Sequence, residues 1–307
     1  MRLYFTDEHI MDSNKTRKKS IKDRRDGWYL RDADSMHVIM PYVMPHRCAN
    51  EAVLSEQIDI TALSEYIAKR NAENPSFKYT WFHCIAAALA KTVILRPAMN
   101  YFISGYRMYE RKDIEVAFTV KRKFEDKSEE TLAKMIVDRN GGPIIEQVHN
   151  FIEKVVTKVR TSDKAVGITN QFNFFQVLPR PVFRFFVWML KVLEYFGIYP
   201  KALSKDDPCY CSVYITNLGS IKMSANYHHL FEWGTNSFFV CISEKKLTPI
   251  FKEDGSYEMH DTINLSFTID ERIADGYYFA KSIRLLKHLL QHPELLELDA
   301  SEPIDYE

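Results

Sequence analysis

The sequence predicts an α/β domain, and three stretches carry that expectation. Leu265, Phe267 and Ile269 alternate with Asn264, Ser266, Thr268 and Asp270, a period of two that marks a strand with one buried face. From Tyr277 to Leu290 apolar residues return at helical spacing, at Phe279, Ile283, Leu286 and Leu290, with Pro293 just beyond. Asp275-Gly276 separates the two patterns, so a strand, a sharp charged turn and a helix follow one another. Third, Trp81 to Leu95 is apolar over most of its circumference, which predicts a buried helix capped by Thr80 and ended by Pro97.

The remaining elements follow in order. Residues 1–35 read as a basic arm, with Lys15, Arg17, Lys18, Lys19, Lys22, Arg24 and Arg25 close together. Met36 to Glu56 reads as extended, limited by Pro41 and Pro45 to an edge or irregular strand. Thr61 suits a helix cap, and Leu63, Ile67 and Ala68 give the helix its buried stripe. Ile114 to Phe124 reads as a strand. Glu129–Val137 and Pro143–Val159 read as amphipathic helices separated by Gly141-Gly142, with Pro143 suited to a helix start. Val213 and Ile215 alternate with Ser212 and Tyr214 in a strand, and Asn236–Glu244 reads as another, ending a long hairpin that begins near Tyr227.

Pro181 and Gly197 bound a helix of about 24 Å. It is apolar nearly all round but interrupted by Arg184, Lys191 and Glu194, too short and too charged to span a bilayer. Three settings suit it: packing on its own domain or a subunit neighbour, a weak membrane-surface contact through 181–197, or covering an acyl-chain channel.

Bulk composition narrows the function classes. With 46% hydrophobic residues among 307, the chain can build one large core or two small ones. Its 41 basic and 41 acidic residues cancel, so the average field calls for neither nucleic acid nor an anionic surface. Five cysteines, an odd number without regular spacing or a secretory signal, predict reduced thiols and a cytoplasmic setting. Cys209-Tyr210-Cys211 is CxC with no Cys or His pair nearby to complete a zinc site, so no metal is expected.

Asp270-Glu271-Arg272-Ile273-Ala274-Asp275-Gly276 resembles the DHRxxDG segment of the acyltransferase (core) components of 2-oxoacid dehydrogenase complexes, the HxxxDG signature of the chloramphenicol acetyltransferase superfamily. Gln57-Ile58-Asp59-Ile60-Thr61-Ala62-Leu63, the buried helix and Pro97-Ala98-Met99-Asn100 resemble further patterns of that family in the same order. Thr216-Asn217-Leu218-Gly219 is similar to its Ser-Asn-Leu/Ile-Gly strand end, although Lys222-Met223 stand where a second glycine pair often follows. The resemblance covers roughly 36–298, except for an apolar helical insertion at about 174–206.

That resemblance implies a chloramphenicol acetyltransferase-like domain over 36–307, with a mixed, mostly antiparallel sheet flanked by helices. It implies acyl transfer between coenzyme A and a thiol, amine or hydroxyl acceptor, with acyl-CoA as substrate and no metal. Thr216 would hydrogen-bond the oxyanion, Asp275 would orient the turn, and Asn217, Gly219 and Gly276 would line the CoA path. Arg24 or Arg25 would enter the core to pair with Asp275. The two signatures meet between subunits in the superfamily, which implies a homotrimer. No lipoyl domain or swinging linker precedes the catalytic region, so a stand-alone domain is expected, with any lipoyl group on a separate carrier polypeptide.

One position departs from the pattern: the base histidine is Glu271. A thiol titrates near ~8.5, histidine near ~6.5 and glutamate near ~4.3, so glutamate begins about 3 kcal/mol worse as a base. Burial against Tyr277, Tyr278 or Phe267 would recover part of this. Three readings stand. Glu271 is the base; or His228 or His229, which follow the Thr216 strand, has taken the role; or chemistry is lost and the fold survives as an acyl-CoA binder or scaffold, with Glu271 paired to Arg272 or another cation.

Overall fold

The computed structural model describes residues 20–121, 130–161, 178–205 and 207–306. Lys15, Arg17, Lys18 and Lys19 of the expected arm, the end of the expected 114–124 strand and residues 174–177 lie outside them.

The period-two segments assemble into one mixed sheet in the order β2-β10-β8-β7-β5-β6, with β9 beside β10. The strands are β2 (Glu51–Asp59), β5 (Ile114–Lys121), β6 (Glu130–Val137), β7 (Val213–Asn217), β8 (Phe238–Ile242), β9 (Lys246–Phe251) and β10 (Tyr257–Asp270). Only β5–β7 and β7–β8 are parallel; the other pairings are antiparallel. The expected mixed, mostly antiparallel sheet is what forms.

Alternation divides the sheet into two faces. Val213, Ile215, Phe238, Val240, Leu265, Phe267 and Ile269 point into the main core. That face is covered by α2 (Thr61–Ala72), α3 (Trp81–Leu95), α4 (Ile144–Thr161) and α6 (Gly276–Gln291). α3 is buried from His83 to Leu95, and its one lysine, Lys91, donates to the Asp299 carbonyl at 2.8 Å. A buried ammonium without such a partner would cost several kcal/mol. The opposite face carries a smaller cluster of Ala117, Cys211, Tyr214, Leu230, Phe239 and Cys241.

Several elements differ from the sequence expectation. Glu130–Val137 is a strand, not a helix; Thr131, Ala133, Met135 and Val137 alternate inward, and all eight residues pair with β5. Ser35–Val43 is a helix, α1, rather than extended chain: Asp34 caps it by accepting from Met36 N and His37 N, and Pro41 falls in its last turn. Phe238–Ile242 runs parallel to β7, so 218–237 is a crossover rather than one arm of a hairpin. Ala68 is exposed, and the buried stripe of α2 is Leu63 and Ile67.

Within the expected arm, Gly27–Tyr29 forms β1 of a second sheet, β1-β4-β3, with β3 (Tyr101–Ser104) and β4 (Arg107–Arg111). Arg24 does enter the core, but not to meet Asp275. It pairs with Asp26 at 2.8 Å and with Glu194 at 2.9 Å, and donates to Ser104 Oγ. Glu194 lies on α5 (Arg180–Tyr195), the helix expected at 181–197. The pairing therefore ties that helix to the small sheet. Arg25 donates to the Tyr199 carbonyl at 2.5 Å instead.

Candidate functional site

The charged turn after β10 is built from Asp270. Its carboxylate is fully buried and accepts from Arg272 Nε at 2.8 Å, Arg272 Nη2 at 2.7 Å and Arg272 N at 3.2 Å. Arg272 is 2% exposed and uses Nη1 on the Met44 and Pro45 carbonyls. Arg47 brings a second guanidinium, its Nε 3.7 Å from the Asp270 carboxylate, and donates to the Phe231 and Gly234 carbonyls. A bidentate arginine–carboxylate pair satisfied on both sides holds a turn rigidly. Arg272 is thus committed to Asp270, and the pairing of Glu271 with Arg272 does not occur.

Glu271 is fixed through its backbone, donating N–H to the Asn50 carbonyl at 2.9 Å. Its carboxylate is exposed and makes no hydrogen bond or ion pair among the described residues. The chain's own residues do not bury it: Phe267 faces the main core, and the Tyr278 ring lies under Arg96 at 3.9 Å. Asp275 caps α6, accepting from Tyr278 N at 2.8 Å. A Cβ on Gly276 would meet nothing within 4 Å, so packing within the chain does not demand glycine there.

The second signature closes β7. Thr216 is half-buried, and its hydroxyl makes no hydrogen bond within the chain among the described residues. Asn217 accepts from Ser220 N at 3.2 Å and shapes the following turn. Gly219 packs against β8 so closely that a Cβ would lie 2.3 Å from the Ser243 carbonyl oxygen.

Register places these parts. Thr216 pairs with Cys241, and Cys241 with Ser266. Glu271 lies five residues beyond Ser266 and two strands from β7, so it is roughly 19 Å from Thr216 of its own chain.

The crossover carries the histidines onto the face of Thr216. Ser266 Oγ donates to the Ala225 carbonyl at 3.2 Å, and Leu230 N donates to Glu51 Oε1 at 2.6 Å, where Glu51 is the pairing partner of Asp270. Residues 225–230 therefore track β10 from Ser266 to the charged turn. Midway, the His228 ring stacks on Phe239 at 4.2 Å, with the planes 3° apart. Tyr214 stacks on Phe239 too, at 4.8 Å, so His228 lies on the far side of that ring from β7, over β10, one side-chain row and two strands, roughly 12 Å, from Thr216. His228 Nδ1 donates to the His229 carbonyl and His229 Nδ1 to the Leu230 carbonyl, both at 2.8 Å. A carbonyl only accepts, so each Nδ1 carries a proton, and in the neutral ring the lone pair lies on Nε2.

Cys48 closes this loop, its thiol donating to the Leu230 carbonyl at 2.9 Å. Burial, followed by the neighbouring Glu232, pushes the Cys48 pKa up to about 11, so it is no nucleophile near neutrality. Among the described residues no group of three or more His, Cys, Asp or Glu could hold a metal ion, and no helix is long and apolar enough to cross a membrane.

The same arrangement of sheet and helices occurs in solved proteins. The cubic core of the pyruvate dehydrogenase multienzyme complex matches over 85% of this chain and 88% of its own, at 14% identity and a TM-score of 0.57. The fold is that of the acyltransferase cores. Chloramphenicol acetyltransferase shares it over 87% of this chain and 98% of its own, at 8% identity and TM-score 0.51. So does the dihydrolipoamide acetyltransferase of Azotobacter vinelandii, in which a serine, a histidine and an asparagine have been investigated for their roles in the catalytic mechanism. That match has 15% identity, a TM-score of 0.56 and coverage of 85% and 88%. Residues 201–298, which hold both signatures of this acyltransferase-core fold, match the family model of the 2-oxoacid dehydrogenases acyltransferase (catalytic domain). No curated protein sequence matches the chain.

Thr216, His228, His229, Glu271 and Asp275 are recognisable in the sequence; their supports, the Arg47–Asp270–Arg272 cluster, the Glu51 anchor and the Phe239 platform, are not. Asp270 and Arg272 stand in the quoted motif. Arg47 and Glu51 carry no local signal, because their partners are 223 and 179 positions away in sequence.

Proposed function

We propose that the chain is a CoA-dependent acyltransferase, moving an acyl group between CoA and a thiol, amine or hydroxyl acceptor. One observation carries this: a Thr216 hydroxyl without a hydrogen bond among the described residues and a His228 imidazole held through Nδ1 face the same side of the sheet.

His228 Nε2 takes the proton of the acceptor thiol, and the thiolate attacks the thioester carbonyl. The oxyanion accepts a hydrogen bond from Thr216 Oγ1. Collapse of the intermediate expels the CoA thiolate, which recovers the proton from His228. Stacking on Phe239 and the Nδ1 bond hold the ring in one tautomer and one orientation. His229, exposed but held in the same tautomer, lies beside the path of the acceptor. Gly276, free of packing demands, and the backbone at Asn217 and Gly219 are where the CoA chain runs in this reading.

Glu271 supports a second reading, because its carboxylate is exposed and without an ion pair among the described residues, at a rigid turn. At roughly 19 Å from its own Thr216 it acts only across a subunit boundary, which requires a homotrimer of about 108 kDa, three times the 36.1 kDa chain. A glutamate base starts about 3 kcal/mol behind histidine. Glu271 has no burial within its own chain to close that gap.

The test is CoA release from acetyl-CoA, with dihydrolipoamide or an amine as acceptor. His228→Ala lowers kcat at least a hundredfold while Glu271→Gln stays within a few-fold, and Thr216→Val costs 10²–10³ as a lost oxyanion donor does elsewhere. The reverse ranking of His228→Ala and Glu271→Gln assigns the base to Glu271. Clean CoA binding without turnover by any acceptor assigns the chain to acyl-CoA binding or assembly. Preference for dihydrolipoamide points to a separate lipoyl carrier, and equal use of amines to free acyl-CoA chemistry in the cytoplasm.

A further inference from the structure

Away from this site, two helices turn apolar faces to solvent. α1 buries only Pro41 and exposes Met36, Val38, Ile39, Tyr42 and Val43. α5 buries only Leu190 and exposes Phe185 and Trp188 (63% and 59%), with Tyr195, Phe196 and Ile198 at its end. The faces are continuous: Tyr42 stacks on Tyr106 at 5.2 Å, and Tyr106 meets Tyr195 edge-on at 6.1 Å. Tyr106 sits at the tip of the β3–β4 hairpin, a two-residue turn with φ +55° at Gly105 and +60° at Tyr106. The left-handed conformation costs a bulky side chain roughly 1–2 kcal/mol, and asparagine or glycine is the usual occupant. An aromatic there bridges the two helices at the expense of the turn.

Charge identifies what covers this surface. Arg180, Arg184, Lys191, Lys201 and Lys205 are all exposed along α5 and the segment after it. The one acidic residue of α5, Glu194, is turned inward and neutralised by Arg24. Arg184, Trp188, Lys191 and Tyr195 lie on one stripe at i, i+4, i+7 and i+11, so cations and aromatics alternate along the outer face. A two-fold contact between copies would set these cations against each other.

We propose that the α1–Tyr106–α5 face docks on an anionic lipid bilayer surface. Trp188, Phe185, Tyr195 and Phe196 enter the headgroup region, and Arg184 and Lys191 extend to lipid phosphates. The chain as a whole has no net charge, so its average field supplies no attraction to an anionic surface.

Co-sedimentation with phosphatidylcholine vesicles, with and without 30% phosphatidylglycerol, tests it. The full chain pellets with the anionic vesicles at least tenfold better than with the neutral ones, and 0.5 M salt reduces the capture. Phe185→Glu/Trp188→Glu abolishes capture while circular dichroism and solution mass stay those of the parent. Arg184→Glu/Lys191→Glu, which leaves the apolar surface intact, removes the preference for anionic lipid. Trp188→Phe keeps the capture but loses the blue shift of tryptophan emission, separating Trp188 from Trp28, Trp81 and Trp233. No capture by either vesicle, equal capture by both, or a changed solution mass in the Phe185/Trp188 variant overturns the proposal; the last would make this face a contact between copies.

Discussion

Adjacent acidic residues on the turn, Asp270 and Glu271, have opposite physical roles. Asp270 is fully buried between two guanidinium groups, and the Glu271 carboxylate stands in solvent with no partner among the described residues. Removing one member of a buried pair leaves the other charge uncompensated, at about 3–5 kcal/mol. Asp270→Asn should therefore lose about that much stability in urea unfolding, whereas Glu271→Gln should stay within about 0.5 kcal/mol. A chain that reverses this order would place the structural carboxylate at 271. His83 gives a pH-dependent counterpart. It is buried at the start of α3, and burial, then the neighbouring His149, lowers its pKa from 6.5 to about 4. The unfolded chain binds this proton first, so the stability tied to neutral His83 is complete above pH 6.5 and drains away as pH falls toward 4. Between pH 7 and 4.5 the loss is about 2–3 kcal/mol. His83→Gln should flatten that part of the stability–pH curve, and an unchanged slope would assign it to another group.

Elements show where sequence pattern suffices and where it does not. α3, β10 and α6 were legible because burial, alternation and caps agree with local propensity. β6 was not. Leu132, Ala133, Lys134 and Met135 are good helix formers, and only eight residues of pairing with β5 make this edge segment a strand. Lys134 shows the tertiary override: its ammonium is turned in toward Glu115 at 3.3 Å and the carbonyls of Ser204 and Tyr210. α1 was missed for the opposite reason. Pro41 argues against a helix, but in the last turn it removes only one intrahelical bond, it is the helix's buried residue, and the Asp34 cap offsets part of its cost. The turn after β7 yields a prediction at this scale. Gly219→Ala drives a methyl against the Ser243 carbonyl, so the turn and β8 must separate. Overpacking of this kind costs about 1–3 kcal/mol, and it should displace Thr216 enough to lower CoA release as well as the melting temperature. Full activity with only a lower melting temperature would uncouple that turn from the site.

At the scale of the whole molecule, the candidate site was legible as residues and illegible as an arrangement. Both signature strands could be read because their motifs are local. The crossover of 218–237, which lays His228 on Phe239 and ties Leu230 to Glu51, follows from parallel β7–β8 pairing, and neither periodicity nor a short motif encodes it. One further consequence comes from the thiols. All five cysteines are unpaired, and all five thiols are raised: Cys48, exposed overall, to about 11 by partial desolvation of its sulfur and by Glu232, Cys241 to about 11, Cys84 and Cys211 to about 12, and Cys209 upward by burial and Asp207. An ordinary thiol near ~8.5 holds more than a hundredfold larger thiolate fraction at pH 8 than these do. A chromogenic disulfide reagent added during turnover will therefore register liberated coenzyme ahead of the polypeptide's own sulfur, and rates can be followed continuously without blocking or mutating a single cysteine.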